Sequence, residues 1–168
     1  MKKIVIELVD GKKMNLELYE DIAPITVANF MKLIAEKFFD GLIFHRVINH
    51  FMIQGGGFYI ENRSLEHKEA PSIKGEFASN GVENNLKHTP GVISMARAND
   101  KNSASSQFFI CIADCQHLDG EYAGFGKIAD KASLDVAYEI GRARTTRIGY
   151  MADFPVEPII IKTIKEVE

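Results

Sequence analysis

One arginine and one glutamine are spaced so that they could act together on a substrate. Within Phe44–Gly56, Arg46 and Gln54 lie equally far from His50. If this segment folds as a β-hairpin with its turn at His50, the two side chains become cross-strand neighbours about 5 Å apart. A guanidinium held by an amide would result. The alternative is a surface Arg–Gln pair with no chemical role.

An apolar surface is predicted beside this pair. Phe51 and Met52 follow the turn and are expected to be exposed there, while alternate residues of a strand over 107–112 fill an interior. Gln107 and Phe109 then point to the opposite, outer side. An outward phenylalanine beside an amide indicates the floor of a pocket with one orienting polar group. The alternative is that Phe109 lies beneath a loop.

Other kinds of site lack their sequence patterns. The five histidines have no metal-ligand spacing and no Cys-x-x-Cys pair is present, so no metal and no cofactor is predicted. Gly55–Gly57 lacks the residues of a phosphate-binding loop and indicates a close backbone turn. Ser105-Ser106 has no His and Asp at a spacing recognisable as that of a hydrolase. Arg142, Arg144 and Arg147 form a basic run that is predicted to be a solvated segment.

The elements that must position these residues are short strands and two helices. Residues 3–19 alternate around a central Asp-Gly turn and predict a hairpin. An amphipathic helix is predicted from Pro24 to Phe38, a second helix over 132–141, and a long loop over 57–80. The other predicted strands are 43–48, 51–54, 92–97, 107–112, 123–128 and one that begins at Ile159.

This order of elements indicates a mainly β fold in one domain, residues 1–168. Many short strands without a βαβ rhythm are typical of an all-β sandwich or barrel, whose open ends the two helices would cover. A chain of 168 residues is long enough to bury a full core. Bulky apolar residues at the inferred interior positions favour a filled barrel over the internal cavity of a small-molecule carrier.

The composition argues against several kinds of partner. With 20 basic and 23 acidic residues, the net charge of -3 does not favour binding to nucleic acid or to an anionic membrane. No apolar run reaches the length of a signal peptide or of a membrane span, so a cytoplasmic location is expected. Cys111 and Cys115 are predicted to be free thiols. The lack of any additional apolar segment favours a monomer.

Four ordered segments resemble motifs of the cyclophilins. They are Phe44–Gly56 (FHR…FM.QGG), Asn85–Ala96, Ser106–Ile110 (SQFFI) and Leu118–Lys127 (LDG…FGKV). The chain resembles a compact, prokaryotic-like member of this family along nearly its whole length. The resemblance implies a closed eight-stranded antiparallel β-barrel with two helices capping its ends. It also implies a peptidyl-prolyl cis-trans isomerase that assists protein folding and binds proline-containing peptides and unfolded proteins on the outside of the barrel.

The same resemblance implies a role for each site residue. The catalytic arginine of the family corresponds to Arg46, and Gln54 would hold it in place. The residues of the proline pocket correspond to Phe51, Met52, Phe109 and Leu118. The remaining groove positions correspond to Ala96, Arg97, Gln107, His117 and Tyr122. Backbone donors near Ala96 and Arg97 would fix the direction of the peptide. The alternative is a non-catalytic proline-binding or chaperone module on the same scaffold.

Three groove residues depart from the best-known members of the family. His117 replaces a tryptophan, Tyr122 a histidine and Arg97 an asparagine. Loss of the indole ring and its N–H is expected to weaken the binding of cyclosporin-type inhibitors, whereas Tyr122 can still wall the pocket. Arg97 is expected to favour acidic neighbours of the proline.

Overall fold

The computed structural model describes all residues, 1–168, as a mainly antiparallel β structure with two helices. Two 3-10 turns lie at Ala78–Asn80 and Gln116–Leu118. The helices are α1 (Pro24–Ala35) and α2 (Lys131–Gly141). The strands are β1 (Lys2–Leu8), β2 (Lys13–Leu18), β3 (Phe44–Ile48), β4 (Met52–Gly55), β5 (Phe58–Glu61), β6 (Ser64–His67), β7 (Val92–Met95), β8 (Phe108–Cys111), β9 (Gly124–Ile128), β10 (Thr145–Ile148), β11 (Met151–Pro155) and β12 (Ile161–Val167).

Eight strands form one curled antiparallel sheet, in the order β12, β1, β2, β9, β7, β8, β4, β3. Its two edges meet over a short stretch, where Ile43 and Ile160 form an isolated bridge and the amides of Gly41, Phe44 and Ile161 donate across the junction. The Phe44 amide donates to the carbonyl oxygen of Ile159 over 3.0 Å, and no further backbone hydrogen bond joins β3 to residues 156–158. The expectation of a closed barrel was therefore a slight overstatement, because the sheet is an open, curled half-barrel whose edges are joined over only a few residues.

The inside of the curled sheet is filled by side chains. One apolar cluster occupies it, in which the rings of Phe30, Phe39, Phe108 and Phe125 pack with centroids between 4.8 and 5.8 Å apart. Both helices bury their apolar faces in this cluster, as expected of helices that cover the openings. The predicted filled interior is confirmed and leaves no space for the ligand of a carrier. Neither helix is long and apolar enough to cross a membrane.

The first helix ends earlier than the apolar pattern predicts. It stops at Ala35, because Lys37 adopts a left-handed φ of 56°. The amides of Lys37 and Phe38 then donate back to the carbonyl oxygens of Ile34 and Leu33, each at 3.0 Å. This is the hydrogen-bond pattern of a Schellman motif. Phe38 is buried all the same, from the turn that follows the helix.

Two short hairpins were not predicted from the sequence. The pair β5–β6 lies within the segment 57–80 that was predicted to be a loop. Its turn residues Asn62 and Arg63 both have positive φ, a geometry whose usual sequence signal is a glycine. The pair β10–β11 begins in the basic run and packs beside β3, outside the main sheet.

Candidate active site

The β3–β4 hairpin places Arg46 and Gln54 side by side. The two residues are directly opposed in the ladder, and Nη1 of Arg46 donates to Oε1 of Gln54 over 3.4 Å. Strand alternation exposes Arg46 and buries its neighbours His45 and Val47. The predicted cross-strand pairing of the guanidinium with the amide is confirmed.

Gln107 extends this pair to a line of three side chains. Nε2 of Gln54 donates to Oε1 of Gln107 over 3.1 Å, which leaves the Gln54 oxygen turned toward Arg46. A side chain at Gly57 would overlap the side chain of Gln107, so this glycine is required for the approach. The glycine run therefore serves a close backbone contact, as predicted.

The pocket floor is a second apolar cluster on the outer face of the sheet, here called the outer cluster. Its buried members are Met52, Phe109, Cys111, Cys115 and Leu118, and Phe51 and Tyr122 pack at its edge. The ring of Tyr122 meets that of Phe109 edge to face, with centroids 5.7 Å apart. Met52 was expected to be exposed, but it is 2% exposed because it pairs with Cys111 inside the sheet and lies beneath its neighbours.

A pocket of about 140 Å³ opens over the outer cluster. The predicted site residues that line it are Arg46, Phe51, Met52, Gln54, Ala96, Arg97, Phe109, Leu118 and Tyr122. Gln107 is connected to it through Gln54. His117 lies outside the lining, with its ring 5.6 Å from that of Phe51. The structure thus brings together an apolar pocket and two arginines, Arg46 and Arg97, that line it.

Arg97 is held by its neighbours instead of lying free in the groove. Its guanidinium lies 4.9 Å and 4.8 Å from the ring centroids of Phe77 and Tyr122. It donates to the backbone oxygens of Glu121 and of the two residues that follow Arg97. Because these donors are occupied, the expected preference for acidic neighbours of the proline does not follow from Arg97. The contacts indicate instead that Arg97 holds Tyr122 against the pocket.

Of the backbone donors predicted near Ala96 and Arg97, only one is free to bind a peptide. The Ala96 amide donates to the carbonyl oxygen of Gln107 over 3.0 Å. A role for the Ala96 N–H in holding a peptide is therefore wrong, since the sheet already uses it. The N–H of Arg97 makes no hydrogen bond within the chain and is the backbone donor left at this position.

A chain of three polar residues lies directly behind the pocket floor. Nδ1 of His88 is 2.9 Å from Oδ1 of Asp119, and Nε2 is 2.9 Å from Oγ of Ser94. The His88 ring is stacked on that of Phe109 with centroids 6.0 Å apart. Burial lowers the pKa of His88 in spite of the nearby Asp119 carboxylate, so a neutral imidazole donates to that carboxylate. Although burial opposes it, the hydrogen bonds from His88 lower the pKa of Asp119.

This chain has the order of groups found in serine hydrolases but cannot act as one. Ser94 is 0% exposed, so no substrate can reach its oxygen. The three residues instead fix the ring on which Phe109 rests. Sequence reasoning missed them because His88 and Asp119 are 31 residues apart and carry no spacing signal. The only available sign was that His88 lies inside Asn85–Ala96.

The two cysteines beneath the pocket are free and buried. Burial raises the pKa of both the Cys111 and the Cys115 thiol. They are therefore protonated at neutral pH and pack as small apolar residues. No three His, Cys, Asp or Glu side chains come together as a group that could hold a metal ion.

A larger surface groove, of about 520 Å³, lies between the β1–β2 turn, α2 and the segment before β12. Lys12 neutralises two of its acidic groups, at 2.8 Å from Asp10 and 3.5 Å from Glu139. No aromatic ring lines it. The smaller pocket beside Arg46 is a better candidate for chemistry than this groove, because a hydrogen-bonded guanidinium there faces an aromatic floor.

Known proteins resemble this chain in sequence and in fold. The family model described as cyclophilin type peptidyl-prolyl cis-trans isomerase/CLD matches residues 3–166. A peptidyl-prolyl cis-trans isomerase of Acinetobacter baylyi is 41% identical over 157 residues, covering 90% of this chain and 79% of that protein. Peptidyl-prolyl cis-trans isomerase B of Escherichia coli is 40% identical, with 89% and 90% covered. A cyclophilin type isomerase of Cryptosporidium parvum, crystallised in the presence of the dipeptide Ala-Pro, superposes with a TM-score of 0.78 at 28% identity, covering 99% of each chain.

Proposed function

This chain belongs to the cyclophilin-type peptidyl-prolyl cis-trans isomerase family, and we propose that it catalyses rotation about X-Pro bonds at the pocket beside Arg46. The observation that carries this assignment of the site is an exposed guanidinium, held by Gln54 and placed at the rim of an apolar pocket. Proline is the residue whose apolar ring and tertiary amide suit such a pair of features.

The reaction requires only that one amide twist. Conjugation gives the peptide bond a barrier near 20 kcal/mol, so uncatalysed X-Pro exchange takes tens to hundreds of seconds. No covalent intermediate is needed. The protein accelerates the rotation if it binds the twisted amide more tightly than either planar isomer.

Arg46 supplies the interaction that is specific to the twisted state. As the amide loses its conjugation, the prolyl nitrogen becomes pyramidal and regains a lone pair that can accept a hydrogen bond. A guanidinium is permanently charged and rigid, which makes it a suitable donor to this nitrogen. The line from Arg46 through Gln54 to Gln107 limits the movement of that donor before the substrate arrives.

The outer cluster anchors the proline ring while the preceding carbonyl swings. Phe109 forms the floor, supported from behind by His88, and Tyr122 and Phe51 stand at the edge. Burial of some tens of Å² at about 25 cal/mol per Å² contributes only a few kcal/mol. We therefore propose weak binding and fast release of proline-containing peptides and of unfolded or folding proteins. The dipeptide named with the Cryptosporidium parvum structure supports this class of ligand.

Magnetisation-exchange NMR on a short Ala-Pro peptide tests the function. Catalytic amounts of the protein should raise the cis-trans exchange rate in proportion to protein concentration, and heat-unfolded protein should not. Line broadening without faster exchange would instead identify a proline-binding module without catalysis. Unchanged spectra at high protein concentration would show that the pocket does not bind proline.

We further propose that cyclosporin-type inhibitors bind this protein weakly, because His117 stands where the best-known family members carry tryptophan. His117 is exposed and offers a smaller ring beside Phe51. Restoring a large aromatic anchor is worth about 1.4 kcal/mol or more in such contacts, so His117→Trp should lower the inhibitory concentration of cyclosporin by about tenfold. The exposed turn residue His50, changed to tryptophan, is the control. Equal inhibition of wild type and His117→Trp would contradict the proposal.

We also propose, on the composition, a monomer that works in the cytoplasm. Light scattering on the purified chain should give a mass near 18.8 kDa. A mass twice as large would overturn the monomer, and secretion of the full-length protein by cells would overturn the location.

A further inference from the structure

The segment 142–155, which contains the β10–β11 hairpin, carries three arginines that form no ion pair within 4 Å, although Arg144 lines the larger groove together with Glu139 and Glu157. Arg142, Arg144 and Arg147 are all exposed, and their side chains make no ion pair and no hydrogen bond. Arg97, by contrast, directs its donors to backbone oxygens. Residues 142–155 are here called the basic hairpin. Asp153 is the one acidic residue among them. The protein as a whole is acidic, so this surface differs in sign from the rest.

The tip of the basic hairpin is apolar as well as exposed. Tyr150 is 89% exposed and Ile148 45%, on either side of Gly149 with its positive φ of 58°. Exposed aromatic and arginine side chains together are typical of surfaces that bind other chains. A solvated segment with no partner does not need a tyrosine and an isoleucine at its most exposed point.

The position of the basic hairpin connects it to the active site. Strand β11 packs against β3, the strand that carries Arg46. An extended chain advances about 3.3 Å per residue. A client chain that runs from the pocket across β3 could therefore place residues several positions from its proline against the hairpin.

We propose that the basic hairpin binds an acidic stretch of the same client chain whose proline occupies the Arg46 pocket. This inference rests on the proposed function of that pocket. Carboxylates in the client pair with Arg142, Arg144 and Arg147, and an apolar residue beside them contacts Tyr150. The specificity that this adds is for acidic residues at a distance from the proline, and not directly next to it, where the donors of Arg97 are already occupied.

The test uses a set of Ala-Pro peptides in which three glutamates lie next to the proline, or five residues away on either side, with neutral and lysine versions of each. At low salt we expect the KM of the better of the two distant-glutamate peptides to be about fivefold below that of its neutral version, since exposed charge pairs contribute modestly and add over several arginines. The difference should disappear near 0.5 M salt because the pairs are screened.

Arg144→Glu/Arg147→Glu should abolish this difference and leave turnover of the neutral peptide unchanged. Arg63→Glu/Lys74→Glu changes the net charge equally at exposed positions elsewhere and should keep it. Equal KM values for neutral and distant-glutamate peptides, with turnover intact, would overturn the inference and leave the isomerase function standing.

If no peptide shows catalysed exchange, the proposed function fails, and fluorescence anisotropy with the labelled distant-glutamate peptide then decides the inference alone. Loss of that binding in Arg144→Glu/Arg147→Glu supports it, and unchanged or absent binding overturns it. Sedimentation with phosphatidylserine vesicles examines the other anionic partner. Hairpin-dependent binding to vesicles without a peptide effect would overturn the inference in favour of a lipid surface.

Discussion

Replacing Arg46 by alanine is expected to lower kcat/KM for an Ala-Pro peptide by at least about tenfold while the protein stays folded. Arg46 is exposed and its guanidinium makes one hydrogen bond within the chain, to Gln54 at 3.4 Å, so little of the fold depends on it. A hydrogen bond from a charged donor contributes roughly 1.5–3 kcal/mol, and each 1.4 kcal/mol or so is a factor of ten in rate. The loss should fall on kcat, because the bond to the prolyl nitrogen forms only as the amide twists.

Two further variants separate charge from geometry. Arg46→Lys keeps the charge but loses the planar fork, so it should recover only part of the activity. Gln54→Ala keeps the Arg46 guanidinium but removes its hydrogen-bond acceptor. The loss of activity should therefore be smaller than in Arg46→Ala. Circular dichroism and thermal unfolding check the fold, and Arg63→Ala is the control for loss of an exposed arginine. A folded Arg46→Ala protein with unchanged turnover would remove Arg46 from the mechanism.

The parts of the site that could be predicted are those set by strand alternation. Arg46 and Gln54 are equidistant from a turn, so a hairpin of any twist brings them together. On β8, alternation alone separates the inward Phe108 from Phe109, which forms the pocket floor. Neither step needed knowledge of residues far away in the chain, because a period of two and one turn determine both outcomes.

The parts that could not be predicted depend on contacts between distant segments. Arg97 was expected to face the substrate, but Phe77, Tyr122 and the oxygen of Glu121 occupy its guanidinium. His88 supports Phe109 only because Asp119 approaches it from 31 residues away. Such contacts depend on how loops that are distant in the sequence pack against the sheet. The alternation of residues along one strand carries no information about that packing.

The unpredicted features of the fold have local but weak causes. The edges of the sheet join over only a few residues, from 41–44 to 159–161, and no sequence pattern marks where this contact ends. The β5–β6 turn uses Asn62 and Arg63 in left-handed conformations, where the expected glycine is absent. A prediction based on glycine positions and on the alternation of apolar residues therefore detects neither feature.

The titration of the buried His45 is expected to remove about 3 kcal/mol of the stability of the protein between about pH 7 and pH 4, and His88, whose pKa burial also lowers, adds to the fall in the same direction. His45 is 6% exposed, its Nδ1 has no hydrogen-bond partner, and its ring lies 4.6 Å from that of Phe58. Burial, together with the charges of Arg46 and His67, lowers its pKa from 6.5 to about 4. As the pH falls below about 6.5, His45 becomes protonated in the unfolded chain, whereas in the folded chain it stays neutral until about pH 4. At about 1.4 kcal/mol per pH unit this difference gives the expected loss.

His45→Leu should flatten the dependence of the unfolding free energy on pH in this window, measured by urea unfolding at several pH values. Its absolute stability can shift at every pH through packing, but only the titration of His45 changes the slope. His67→Leu removes an exposed imidazole that also contacts the Phe58 ring and should keep most of the slope. The carboxylates with lowered pKa, such as Asp119 and Asp130, lose their contribution mainly below about pH 4, so they do not imitate the effect. The same slope in His45→Leu as in wild type would mean that the folded chain accepts a proton at His45, and hence that water reaches Nδ1 behind the strand that carries Arg46.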